Sequence, residues 1–255
     1  MRMFDLNRCA ARLTTAVALV LVSAAVLPQM AFAQPAGIDP EAERLLKASM
    51  AFIGSQKRLS ADTRSTIEIV LPSGQKLQFD NMVTMAMQRP NKFMAKRVGD
   101  LIDQVFYYDG KSLTLHNPSQ MYYAAVPAPG TLEAMLDMAR EKLGIVAPGG
   151  DVFYSNAFEI LMQDVTSAFS VGKGFVEGAR CDHLAFRAPH VDWQIWIQEG
   201  KQPLPRKIVI TTRDVVNAPQ FEVVVTRWNL APTFDDSLFT FKPSKNARKV
   251  DFLPL

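Results

Sequence analysis

Apolar and polar residues alternate with a period of two over most of this chain, in runs broken by turn-forming residues. No other feature limits its fold as much. Between Leu77 and Gln88, the apolar residues Leu77, Phe79, Val83, Met85 and Met87 alternate with Gln78, Asp80, Thr84 and Gln88. Successive side chains of a strand leave on opposite faces, so this segment reads as a strand with one dry and one wet face. Pro72-Ser73-Gly74 separates it from a strand-like run at 66–71, which predicts a hairpin. Arg89-Pro90-Asn91 turns the chain toward Phe93 and Met94, and Gly99-Asp100 leads to a run at 105–108. Asp109-Gly110 is a tight-turn signal before 112–116, where Leu113 and Leu115 share a face.

Further runs follow at 121–126, 173–176, 183–187, 193–198, 206–212 and 222–230, and Phe239-Thr240-Phe241-Lys242-Pro243 reads as a last strand. Together these predict about eleven strands in sequential hairpins. Strands do not alternate with long helices, which argues against a parallel α/β fold. Helical spacing occurs in two places: Leu45, Leu46, Ser49, Met50 and Ile53 after Asp39-Pro40, and Leu132, Met135, Leu136, Ala139 and Leu143 near the middle. A short helix is expected at 156–162, with Pro148-Gly149-Gly150 as a flexible connector before it. One antiparallel sheet with this many apolar faces must fold around something, and the central helical insert is the candidate.

The first residues read differently. Arg2, Arg8 and Arg12 precede an apolar run at 13–27, and Ala31-Phe32-Ala33 follows. That order is a secretory signal peptide, with cleavage expected before Gln34 and a single domain at 34–255. The run is shorter than the about 20 apolar residues of a membrane span, so no permanent span is expected in the mature chain. Cys9 would leave with the leader, and Cys181 alone cannot form an internal disulfide. Removing 1–33 leaves 25 basic and 24 acidic residues from the 28 and 25 of the full chain. A nearly neutral chain without a basic patch argues against nucleic-acid binding.

Few residues invite a catalytic reading. Cys181, Asp182 and His183 are too close on one strand to build a metal site or a thiol–imidazole pair, so Cys181 is expected to pack as a small apolar residue. Asp235-Asp236, and Asp100 with Asp103, are expected to be solvated loop acids rather than a glycosidase pair. Met82, Met85, Met87 and Met94 crowd two adjoining strands, a soft surface that suits either a core or a ligand. Trp193 shares a face with Ile195 and Ile197, whereas Trp196 lies with Gln194 and Gln198; if exposed, Trp196 would be a partner or membrane contact.

Several of these segments together carry a family resemblance: Arg89-Pro90 with Phe93, Tyr108-Asp109-Gly110-Lys111, Tyr122-Tyr123, Cys181-Asp182-His183-Leu184, Asp192-Trp193-Gln194-Ile195-Trp196-Ile197 and Trp228-Asn229. The chain resembles the DUF2092 family of predicted periplasmic proteins, which looks like a branch of the LolA/LolB-like superfamily of lipoprotein carriers and receptors. The resemblance implies a mainly β, α+β fold: a half-open antiparallel β-barrel closed by a helical lid over an apolar cavity. It also implies a periplasmic, non-catalytic protein without cofactor or metal, binding an apolar or acylated ligand or a lipoprotein. The alternative is a sensor or interaction domain with an envelope protein as partner. The expected cavity residues are Leu77, Phe79, Val83, Met85, Phe93, Leu113, Leu115, Leu132, Met135, Leu136 and Trp193, with Pro148-Gly149-Gly150 as hinge.

Overall fold

A computed structural model describes residues 37–252. The expected leader and its cleavage site lie outside these residues. Helix α1 (Pro40–Ser55) starts where the sequence directs it. The Asp39 carboxylate accepts from the Glu41 N–H at 2.9 Å, and Pro40 occupies the first turn, where its missing N–H is not needed. Ala42, Leu46, Ser49, Met50 and Ile53 form its buried stripe, and the Ser49 hydroxyl donates to the Pro203 carbonyl at 2.7 Å.

Six strands follow: β1 (Arg58–Val70), β2 (Lys76–Gln88), β3 (Lys92–Gly99), β4 (Asp103–Tyr108), β5 (Ser112–Asn117) and β6 (Tyr122–Pro127). Next come α2 (Leu132–Leu143), a 3-10 turn (Gly150–Phe153) and α3 (Ala157–Met162). A second meander then runs through β7 (Ser167–Val176), β8 (Ala179–Arg187), β9 (Val191–Gln198), β10 (Pro205–Thr212) and β11 (Gln220–Asn229). A 3-10 turn (Asp236–Phe239) and the short β12 (Arg248–Lys249) end the described chain.

All twelve strands form one sheet in the order β12-β6-β5-β4-β3-β2-β1-β11-β10-β9-β8-β7. Two meanders therefore meet at the long-range pair β1·β11, antiparallel with an irregularity between Asp62 and Thr63. The sheet is mixed rather than wholly antiparallel, because β12 pairs parallel to β6. It does not close: β7 and β12 are its two ends.

The expected last strand at 239–243 is corrected. Phe239 ends a 3-10 turn, is 1% exposed and packs edge-on against Phe234 at 5.4 Å. Phe241 instead lies against Tyr107, His116 and Tyr123. Each ring is held by its own packing partners, so the two-residue spacing that mimics a strand never enters the sheet.

β6 lies next to β12 at one end of the sheet and β7 at the other, so the connection between them has to traverse it. That connection carries α2 and α3, and it is why helices cover the inner face. α2 joins the inner side chains of β1–β5 and β11 in one core cluster. The earlier turns of α1, with α3 and the first 3-10 turn, join β7–β10 in another, whereas Ile53 at the end of α1 belongs to the first. Leu136 and Phe153 pack against both clusters. Fully burying an aliphatic or aromatic side chain stabilises by about 1.5–3 kcal/mol relative to exposure, so these clusters are the main source of stability.

Candidate functional site

Between α2, the 144–149 connector and the inner face of β1–β5, β10 and β11 lies a cavity of about 210 Å³. A single water needs only about 10–15 Å³ of such space, so this is more than a packing defect. Seven of the expected residues line it: Val83, Met85, Phe93, Leu113, Leu132, Met135 and Leu136. The β2 alternation puts Val83 and Met85 there, and the i, i+3, i+4 spacing of α2 brings Leu132, Met135 and Leu136 to the same side.

Four expected residues stand elsewhere. Leu77 and Phe79 lie toward the hairpin end of β2, outside the cavity wall, and Leu115 packs at the edge of the α2 cluster. Trp193 is 8% exposed, stacks on Phe186 at 3.9 Å and lines a separate cavity with α3 residues Ile160 and Leu161. Of the methionines, Met85 faces the cavity and Met87 is fully buried, but Met82 is 64% exposed on the outer face.

Residues the sequence reading did not select complete the wall. Phe221, Val223 and Val225 alternate along β11, and their period of two was the signal available. Phe153 and Trp228 also line it, with ring centroids 6.5 Å apart, and the Trp228 indole N–H donates to the Pro205 carbonyl at 2.9 Å. Val146, 67% exposed on the connector and yet part of the lining, marks where the cavity meets solvent.

α2 is tied down along its length. At its start Leu132 N–H donates to the Pro90 carbonyl at 2.8 Å, and Arg89 pairs with Glu133 at 2.8 Å. The Tyr108 hydroxyl donates to the Pro129 and Thr131 carbonyls, and burial pushes its pKa up to about 12. Further along, Arg140 pairs with Asp151 at 2.8 Å, and the Tyr154 hydroxyl donates to Asp137 at 2.8 Å. These two contacts bridge Pro148-Gly149-Gly150. Gly144 (φ 62°) and Gly149 (φ 76°) flank the connector in left-handed backbone, which glycine adopts without strain.

Polar groups in the wall are few. Thr63, Val83, Arg97 and Gln104 are successive partners across β1–β4, so their side chains share the inner face. Thr63 and Arg97 line the cavity. Burial depresses the Arg97 pKa. Among the described residues the Arg97 side chain has neither hydrogen bond nor ion pair, whereas the other cationic lining residue, Lys207, pairs with Glu222 at 2.7 Å.

The remaining sequence candidates sit in ordinary surroundings. Cys181 is fully buried, its thiol donates to the Ala179 carbonyl at 3.4 Å, and burial pushes its pKa up. The His183 imidazole stacks on Trp196 at 3.9 Å and hydrogen-bonds Gln194 at 2.9 Å. Trp196 is thus half-covered by His183 and by Lys207, whose ammonium lies 5.2 Å from the indole, rather than by helices. Asp236 pairs with Lys92, and Asp103 accepts from Ser119. Among the described residues no cluster of His, Cys, Asp and Glu could hold a metal, and no helix is long and apolar enough to cross a membrane.

A family model described as "Predicted periplasmic protein (DUF2092)" matches residues 42–253. The chain belongs to the DUF2092 family. Its members are described as predicted periplasmic proteins. No curated protein matches the sequence. Three solved structures are distantly similar to this DUF2092 protein. An uncharacterised conserved protein from Thermus thermophilus is 10% identical with a TM-score of 0.49, over 83% of this chain and 99% of that one. The Mycobacterium tuberculosis lipoprotein LppX is 13% identical with a TM-score of 0.46, over 77% and 100%. The LolA superfamily protein NE2245 from Nitrosomonas europaea is 11% identical with a TM-score of 0.37, over 78% and 97%. Likenesses this distant assign no function.

Proposed function

We propose that this protein binds an apolar chain, such as the acyl chain of a lipid or lipoprotein, reversibly and without chemistry, in the cavity beneath α2. One observation carries the reading: a cavity of about 210 Å³ between helix and sheet is walled almost entirely by apolar side chains. Sites for apolar ligands take this form, a concave and largely preformed hollow with few polar groups. α2 acts as the lid. Its start is anchored to the turn between β2 and β3, and Arg140–Asp151 and Tyr154–Asp137 carry the first 3-10 turn with it. Exchange then proceeds through the 144–149 connector, between the glycines at its two ends, rather than by a swing about Pro148-Gly149-Gly150.

A second reading, binding of an envelope protein, is favoured by the edge of β7 beyond Ser170, past the stretch where Ile38 and Asp39 cover it at Ala168 and Ser170, with Phe175 75% and Val171 44% exposed. An unpaired edge strand is a template for another chain. Native mass spectrometry of protein purified from the exported fraction, followed by solvent extraction, decides between them. Extractable acyl chains near one per protein are expected. A protein free of lipid that retains a stoichiometric protein partner would replace the first reading by the second.

A further inference from the structure

Arg97 is out of keeping with the cavity it lines. The wall around it is mostly apolar, no carboxylate lines the cavity among the described residues, and the Arg97 side chain has no hydrogen-bond or ion-pair partner there. Arginine stays protonated even when partly desolvated, so the guanidinium remains a cation in a poorly solvating wall. Taking a charge from water without a counter-ion is unfavourable, and this is relieved only when an anion arrives. Uncommitted hydrogen-bonding groups stand nearby. Thr63 and Gln104 share its row across the sheet, and in the next row Asn81 faces Ser65. Asn81 is 8% exposed and likewise has no side-chain partner among the described residues.

Resting on the acyl-binding reading above, we propose that Arg97 takes the oxyanion headgroup, carboxylate or phosphate, of an amphiphile whose chain fills the cavity. The planar guanidinium presents paired donors that match either oxyanion in a bidentate manner. Thr63, Ser65, Asn81 and Gln104 supply further hydrogen-bonding groups on the same face. The preferred ligand is then an acidic single-chain amphiphile or an acidic acyl lipid rather than a neutral hydrocarbon.

Calorimetric titration of the exported protein with dodecanoate, dodecyl phosphate, dodecanol and inorganic phosphate tests this, using wild type, Arg97→Met and Arg97→Lys. Wild type is expected to bind the two acidic amphiphiles at least about tenfold more tightly than dodecanol, the scale of a charge-assisted hydrogen bond. Arg97→Met should erase that gap by lowering affinity for the two acidic amphiphiles, and Arg97→Lys should keep part of it. The thermal midpoint of Arg97→Met should not fall, because an unpaired charge has been removed. Equal affinities of wild type for dodecanoate and dodecanol would overturn the headgroup assignment and leave the apolar-chain reading standing. Inorganic phosphate binding as tightly as dodecyl phosphate would make the site one for a free anion and overturn the proposal. Failure of every amphiphile to bind would remove the apolar-chain reading itself. Unfolding of Arg97→Met would show a structural role and likewise overturn the assignment.

Discussion

At the scale of single residues, burial decides what the thiol, two of the tyrosines and two of the histidines do. Cys181, Tyr108 and Tyr154 are all shifted toward their neutral forms by desolvation, which keeps them unreactive and hydrogen-bonded. Histidine shifts the other way for the same reason. Burial lowers the His183 pKa, opposed by the Gln194 hydrogen bond and reinforced by Lys207, and burial lowers that of His116 as well. A histidine whose folded pKa lies below its unfolded value of about 6.5 contributes stability that is fully present above that value. The contribution is lost as the pH falls toward the folded pKa, because the unfolded chain then binds more protons. The urea midpoint is therefore expected to drop between pH 7.5 and pH 5.0. Asp192, Glu68 and Glu199 are held low by Arg187, Lys76 and Lys173, and they add their losses only at more acid pH, near or below about 4. His183→Phe keeps a ring against Trp196 and should flatten part of the slope. A midpoint that rises toward pH 5.0 would contradict this account.

Elements were legible in proportion to the contrast between their faces. β2 could be read residue by residue, since its inner side carries Leu77, Phe79, Val83, Met85 and Met87 and its outer side is mostly polar. The first half of β1 was missed because its inner side runs Leu59, Ala61, Thr63, Ser65, fading from apolar to hydroxylic as it passes the Arg97 row. The front of β7 was missed for a related reason, with an irregularity between Ser170 and Gly172 breaking its alternation and Gly172 giving no side chain to pattern. α2 was legible as a helix from its spacing. Its role rests on Leu136, which lines the cavity and touches both core clusters. Replacing Leu136 with Lys is expected to leave the β-rich circular dichroism spectrum intact while uptake of a fluorescent acyl probe falls by at least about tenfold, near 1.4 kcal/mol. An element over a ligand cavity opens at lower free energy than a core element, so it tolerates the charge. Global unfolding of the variant would make α2 a plain core helix, and undiminished uptake would remove it from the ligand path.

Topology is the scale at which the sequence was least informative, because turn residues report only which strands are chain neighbours. The β1·β11 junction pairs strands about as far apart as the chain allows, with Ser60 opposite Asn229, and no local signal encodes it. That junction makes one sheet of two meanders, and it sends the β6–β7 connection across the inner face. The molecule consequently has two core clusters on one sheet, bridged by Leu136 and Phe153 and by α1, which places Met50 in one and Ile53 in the other. Chains of this size often unfold through intermediates, so a single transition would need a physical bridge between the clusters. Phe153 provides it, lying against Trp228 and held in the turn whose carbonyl accepts from Arg89 at 2.6 Å. Wild type is expected to lose near-ultraviolet and far-ultraviolet circular dichroism together in urea. Phe153→Ala should lower stability by about 2–3 kcal/mol, below the usual cost of about 3–5 kcal/mol for a fully buried ring. It should also separate the two curves, as the α1 and α3 cluster melts apart from the α2 cluster. Coincident curves in the variant would show that the shared sheet, Leu136 and α1 couple the two halves without it.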